Sequence, residues 1–265
     1  MALKNADQLN GFKIHATDGE LGAVDQLYFD DEKWTIRYLT VKTGSWLNGR
    51  DVLISPLSIT SVDWDAERVN VSLTKDQVKA SPDVDTKRPV SRQHESGYLG
   101  FYGYPNYWGG PYRWGLSPSP SPVAGEPGGS VHTITANSLS SDSHLRSTKT
   151  VKGYAIHASE GQLGHVSGFV FDDVTWAIRF MEVSTGHWWP GKNVLVSPAW
   201  IQRVSWFDSR VYVNLTRELI QSAPAYTESE PITRDYEDRL YRHYRKDTYW
   251  SLEPQPESYF VLNGD

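Results

Sequence analysis

The chain of 265 residues contains no cysteine. This excludes a disulfide framework, a thiolate metal site and a cysteine nucleophile. Two methionines leave little sulfur to oxidise. No apolar run approaches the ~18 residues that a membrane span needs, so no span is expected. The N-terminal MALKNADQLNG lacks the apolar stretch of a signal peptide, and a soluble, cytoplasmic protein is the expectation. Basic residues are outnumbered, 26 against 32 acidic, for a formal net charge of −6. That balance argues against a large phosphate-binding surface, so no nucleic-acid partner is expected. Aromatic residues are abundant instead, with 11 Trp and 15 Tyr, and they direct the search for function.

The chain repeats itself. Gly11 to Pro82 returns without a gap as Gly153 to Pro224, an offset of 142 residues, with about 32 of 72 positions identical. A long gapless repeat denotes two copies of one domain. Each unit, at roughly 75 residues, lies near the lower size at which one core holds unaided. Val69, Val71 and Leu73 alternate with Asn70 and Ser72, the period-two pattern of a strand with one buried face. Val211, Val213 and Leu215 repeat the pattern. Ile36, Tyr38, Leu39 and Val41, echoed by Ile178, Phe180, Met181 and Val183, place apolar groups on both faces. That predicts a strand covered on both sides, or one with a bulge. Turn signals recur at Asp18-Gly19 and Glu160-Gly161, and at Ser55-Pro56 and Ser197-Pro198. The reading is mainly β, a small barrel or sandwich. Thr74 and Thr216 are the expected N-caps of a short helix in each copy.

The correspondence continues past the helix. Arg92 matches Arg234, Glu95 matches Glu237, Tyr102 matches Tyr244, and Tyr107-Trp108 matches Tyr249-Trp250. Each unit therefore carries an arm. ITRDYEDRLYRHYRKDTYW in the second copy reads as a charged helix with an aromatic stripe. SGYLGFYGYPNYWGG in the first holds too much glycine for a stable helix. Residues 109–149, with SPSPSPVAGEPGGS and SLSSDSHLRS, read as a linker.

An ordered set of motifs occurs twice: Ile14, Ala16, Asp18, Gly19, Leu21, Gly22 and Val24; then Phe29-Asp30; then Trp34, Ile36, Arg37 and Tyr38; then Leu53, Ser55 and Pro56. The set resembles the PRC-barrel family, which includes the cytoplasmic domain of the photosynthetic reaction-centre H subunit and the C-terminal domain of a ribosome-maturation factor. The resemblance implies two small PRC-type β-barrels in tandem, each followed by a short helix and an aromatic-rich arm. The expected units are barrel 8–82 with arm 83–108, linker 109–149, and barrel 150–224 with arm and tail 225–265. It also implies a bacterial protein that binds other proteins, itself included, and performs no catalysis. An adapter for a ribosomal, RNA-processing, membrane or photosynthetic complex, or a small-ligand-binding barrel, is the alternative.

No catalytic set is expected. His15 and His157 recur, but no second histidine stands at ligand spacing, so strand residues with a satisfied hydrogen bond are the simpler reading. Asp18, Asp30, Asp31 and their copies do not match a calcium loop and read as turn formers. Asp51 and Ser55 lack a histidine at fixed offset, and Asn193 replaces Asp51 in the copy. No cofactor or metal is expected. The aromatics are the candidate interaction residues: Tyr102, Tyr104, Tyr107, Trp108, Tyr112 and Trp114 in the first copy, and Tyr241, Tyr244, Tyr249 and Trp250 in the second. Trp188 and Trp189 add a loop tip. Tyr and Trp give large contact area at low entropic cost, and a barrel this small rarely buries so many rings. Docking between chains is the expected use of the arms, and packing onto the chain's own barrel is the alternative.

Overall fold

The computed structural model describes residues 2–82, 92–120, 144–186 and 192–252. The first half contains β1 (Leu3–Asn5), β2 (Lys13–Ala16), β3 (Gly19–Asp30), β4 (Thr35–Lys42), β5 (Asp51–Ile54), β6 (Ile59–Asp63) and β7 (Arg68–Val71). Helices α1 (Lys75–Ala80) and α2 (Arg92–Tyr102) follow. The second half contains β8 (Leu145–Ser147), α3 (Thr148–Val151), β9 (Ala155–Ala158), β10 (Gly161–Asp172), β11 (Ile178–Ser184), β12 (Asn193–Val196), β13 (Ile201–Ser205) and β14 (Arg210–Val213). It ends in α4 (Arg217–Ser222), α5 (Arg234–Tyr244) and α6 (Tyr249–Leu252). The fold is mainly β, in two seven-stranded sheets.

Each sheet follows one path. The first runs β5-β4-β3-β2-β7-β6 and the second β12-β11-β10-β9-β14-β13. The β2–β7 and β9–β14 pairs are parallel. No described pairing joins β5 to β6 or β12 to β13, so the path is open where a closed barrel is expected. The chain turns there through Pro56–Ser58 and Pro198–Trp200. A proline at the head of each turn has no N–H to offer a ladder, and Ser55 and Ser197 cap the turns with their own hydroxyls.

The seventh strand comes from the other half. β3 and β10 are twelve residues long, and each uses one edge twice. Gly19 to Ala23 pair with β2, while Tyr28 to Asp30 pair with β8. In mirror fashion β10 pairs with β9 and then, through Val170 to Asp172, with β1. The registers match under the same offset of the repeat: Leu3 faces Asp172 as Leu145 faces Asp30. The halves therefore exchange their first strands reciprocally about a pseudo-two-fold axis. Across that axis Ile36 N–H donates to Trp176 O and Ile178 N–H donates to Trp34 O, both at 2.8 Å. Trp34 and Trp176 adopt φ of 48° and 60° to aim those carbonyls across, a left-handed backbone that is costly without glycine. Phe29 meets Phe169 at 5.5 Å and Trp64 meets Phe171 at 6.5 Å, so one core runs through both sheets.

Several expectations hold locally. β4 is buried on both faces up to Val41, and bulges interrupt its pairing with β3. Thr74 caps α1 in a full capping box with Gln77, and Thr216 caps α4. Gly22 and Gly164 are needed because a Cβ at either would lie 2.1 Å from a strand carbonyl, Lys42 O or Ser184 O. The stretch expected as linker is structured at both ends: Tyr112 pairs with Gly115 at one end, and β8 and α3 begin the second half at the other.

The first arm departs from expectation. It forms the eleven-residue helix α2 in spite of Gly97 and Gly100. Packing overrides propensity, because Tyr98, Leu99 and Tyr102 bury one face on the sheet. Neither glycine needs its freedom: each has ordinary helical φ and nothing within 4 Å of an added Cβ. Gly97→Ala and Gly100→Ala are each expected to raise stability by about 0.5–1 kcal/mol. Urea unfolding of the full chain checks this, with an unchanged or lowered midpoint as the contrary result.

Candidate functional site

The arms lie on the chain's own sheets. In the first half Tyr98 donates its hydroxyl to Leu53 O at 2.8 Å and sets its ring edge-on to Tyr38 at 5.2 Å. Tyr102 stacks on Tyr104 at 5.3 Å. In the second, Trp200 meets Tyr241 at 5.4 Å and Tyr244 at 4.7 Å. Of the expected interaction residues, Tyr102, Tyr104, Tyr107, Trp114, Tyr241 and Tyr244 are buried in this way. Trp108, Tyr112, Tyr249 and Trp250 are half-buried. Trp188 and Trp189 lie outside the described residues.

Beneath each arm sits the same charged cluster. Arg37 pairs with Asp30 at 2.7 Å, both side chains 1% exposed. Its guanidinium lies 3.7 Å under the ring of Tyr107 and 4.6 Å from Trp114. The two terminal nitrogens make no hydrogen bond and face these rings instead. Arg92 packs on Tyr107 and Trp108 and pairs with Glu32 at 2.8 Å. The second half repeats the plan with Arg179 on Asp172 at 2.9 Å, Tyr249 over Arg179 at 3.9 Å, and Arg234 on Trp250 at 3.9 Å. Burial works to raise the Asp172 carboxyl, but Arg179 and the N–H groups of Val174 and Thr175 outweigh it, so the group sits below the ordinary carboxylate value.

Each cluster also holds a carboxyl from its arm helix. Glu95 accepts from Tyr107 at 2.5 Å and from Tyr38 at 3.3 Å. Glu237 stands 3.0 Å from Arg234. Burial pushes both up to about 7, against the opposing pull of Tyr107 and Arg92 on Glu95 and of Arg234 and Tyr249 on Glu237. Between the copies Phe180 replaces Tyr38, which removes a hydroxyl donor from the second cluster, and Val174 replaces Glu32, which removes the carboxylate that pairs with Arg92 in the first.

A cleft of about 800 Å³ opens between the halves. One wall is the turn Asp31–Trp34 with Tyr112 and Arg113; the other is β13, with Arg179, Trp206 and Tyr249. Lys33 fixes the first wall by donating to the carbonyls of Tyr107, Gly110 and Tyr112. Trp114 ties that wall to the second half through an indole N–H donated to Thr175 O at 2.8 Å. Asp31 is held by Arg146 at 2.7 Å.

The remaining candidates are placed as structural groups. Asp18 accepts from Lys75 N–H and Glu160 from Arg217 N–H, both at 2.8 Å, at the starts of α1 and α4. His157 lies beside Tyr212 at 5.0 Å, and its buried Nε2 has no hydrogen-bond partner, contrary to the satisfied bond expected of it. Among the described residues no three His, Asp or Glu side chains gather closely enough to hold a metal. The sequence reading aligned Arg92 with Arg234 and Glu95 with Glu237 but gave them no role. The signal was present: charged residues kept in both copies at spacing three, and an arginine, Arg37 and Arg179, kept between apolar residues of the same strand in each copy.

Arg37→Ala leaves Asp30 charged and buried without its partner. A loss of about 3–5 kcal/mol is expected, with part recovered when Asp30→Ala is added. Denaturant unfolding of the singles and the double measures it; additive losses would contradict the pairing. A scan against protein-family models found no match for this chain, and a search of curated proteins found none.

Proposed function

We propose that the chain is a non-enzymatic interaction scaffold: two fused PRC-type barrel units that dock an extended segment of a partner protein in the cleft between them. The cleft is the observation that supports this reading. It runs beside β13, the end strand of its sheet, and strand edges of this kind accept an added strand. Lys33, Arg113, Arg179 and Arg203 line it with Asp31 and Glu32; Asp172 pairs with Arg179, and Arg146 and Arg92 hold the two lining carboxylates, so the walls carry an excess of cationic side chains. Trp34, Tyr112, Trp206 and Tyr249 supply ring faces. The partner segment is therefore acidic and aromatic. A second reading, a small-ligand site, draws support from the cleft volume, which falls in the range of ~300–1,000 Å³ typical of such pockets.

Selection of random displayed peptides on the full chain tests the proposal. Enrichment of acidic–aromatic segments is expected, with Arg203→Glu weakening the selected peptide about tenfold or more in a fluorescence titration. Failure to enrich, together with stabilisation by a small molecule, would transfer the site to the second reading. Light scattering decides self-association separately: a mass that stays at a multiple of 30.0 kDa on dilution would make a second copy the partner.

A further inference from the structure

Each wall of the cleft is backed by one of the buried arm carboxyls. Glu95 on α2 is 1% exposed and Glu237 on α5 is 2% exposed. In each, one oxygen has no hydrogen-bond partner: Oε2 of Glu95, with Arg92 at 3.9 Å, and Oε1 of Glu237. The groups facing Glu95 are Arg92 on its own helix, Arg37 and Tyr38 on β4, Asp30 at the end of β3, and Tyr107 beyond the helix. Those facing Glu237 are Arg234 and Tyr241 on α5, Arg179 on β11, Asp172 on β10, and Tyr249 on α6. Glu237 reaches the cleft through one residue and Glu95 through two. Glu237 touches Tyr249, which lines one wall. Glu95 holds Tyr107, whose carbonyl receives the Lys33 ammonium of the other wall.

We propose that Glu95 and Glu237 form a paired proton latch: neutral, they clamp the two arms onto their sheets; ionised, they loosen the arms and, with them, both walls of the cleft. A charge buried with an unpartnered oxygen costs far more than a neutral acid there, and each carboxyl sits on the arm helix that docks over its cluster, so the arms are the elements that yield. The sign follows from the direction of the shift. Both groups bind a proton more tightly in the docked arm than in ordinary exposure, so clamping is fully present below the usual carboxyl range, weakens as pH rises, and is lost above about 7. The link to the cleft rests on the docking reading above; the latch does not.

Two measurements on the full chain test it, neither using a cleft ligand. Carbon-13 NMR of the glutamate carboxyls is expected to show two resonances titrating near neutrality, one lost in Glu95→Gln and the other in Glu237→Gln. Limited proteolysis within α2 and α5, normalised to an unfolded control substrate, is expected to accelerate about tenfold per arm between about pH 6 and 8. The double glutamine variant should stay at the slow rate throughout. Each single variant should flatten the response of its own arm alone, which decides the matter if the double variant does not fold. Ordinary carboxyl titration, or a pH response that persists in the glutamine variants, would overturn the latch and leave the docking reading standing. A sound latch beside a cleft that selects no peptide would do the reverse.

Discussion

The structure depends on a reciprocal trade of backbone hydrogen bonds across one axis. Trp34 and Trp176 accept a left-handed backbone to aim carbonyls at Ile178 and Ile36, and each half lends a strand to the other. Neither β3 nor β10 satisfies its full edge from its own half. An unpaired backbone group buried in a core costs about as much as a lost hydrogen bond, so the exchange forces the halves together wherever the strands are complete. Burial of Phe29, Phe169, Phe171 and Trp176 then follows from proximity.

A second consequence concerns charge. Each half keeps an arginine within a strand that is buried along nearly its whole length, and the arm supplies what makes this tolerable. The aspartate neutralises the guanidinium, while tyrosine and tryptophan rings cover the faces that water would otherwise solvate. Three of the rings expected to meet a partner, Tyr107, Trp114 and Tyr249, lie over these two guanidiniums.

Much of this was legible in the sequence. The repeat showed two equivalent halves, Val69 and Val71 showed a half-buried strand, and Thr74 and Thr216 showed where helices begin. The strand exchange was not legible, because three residues such as Leu3–Asn5 are too short to carry a period and precede the obvious start of the repeat. Nor was the helix over Gly97 and Gly100, since propensity speaks for isolated chains and the sheet supplies the missing stabilisation. The direction in which the arms pack was hidden for a different reason. Burying Tyr98 gains the same free energy whether the sheet belongs to its own chain or to another. Composition carries no trace of which it is.

The exchanged strand also sets a timetable for synthesis. Tyr28, Phe29 and Asp30 emerge from the ribosome long before their edge partners, Leu145, Arg146 and Ser147. At ordinary elongation rates the wait is on the order of ten seconds. Through that interval the first half presents an unfilled strand edge flanked by aromatic side chains. A nascent chain of this protein is thus most exposed to wrong pairing just before its second half appears, and neighbouring copies on one message would offer the strand it lacks.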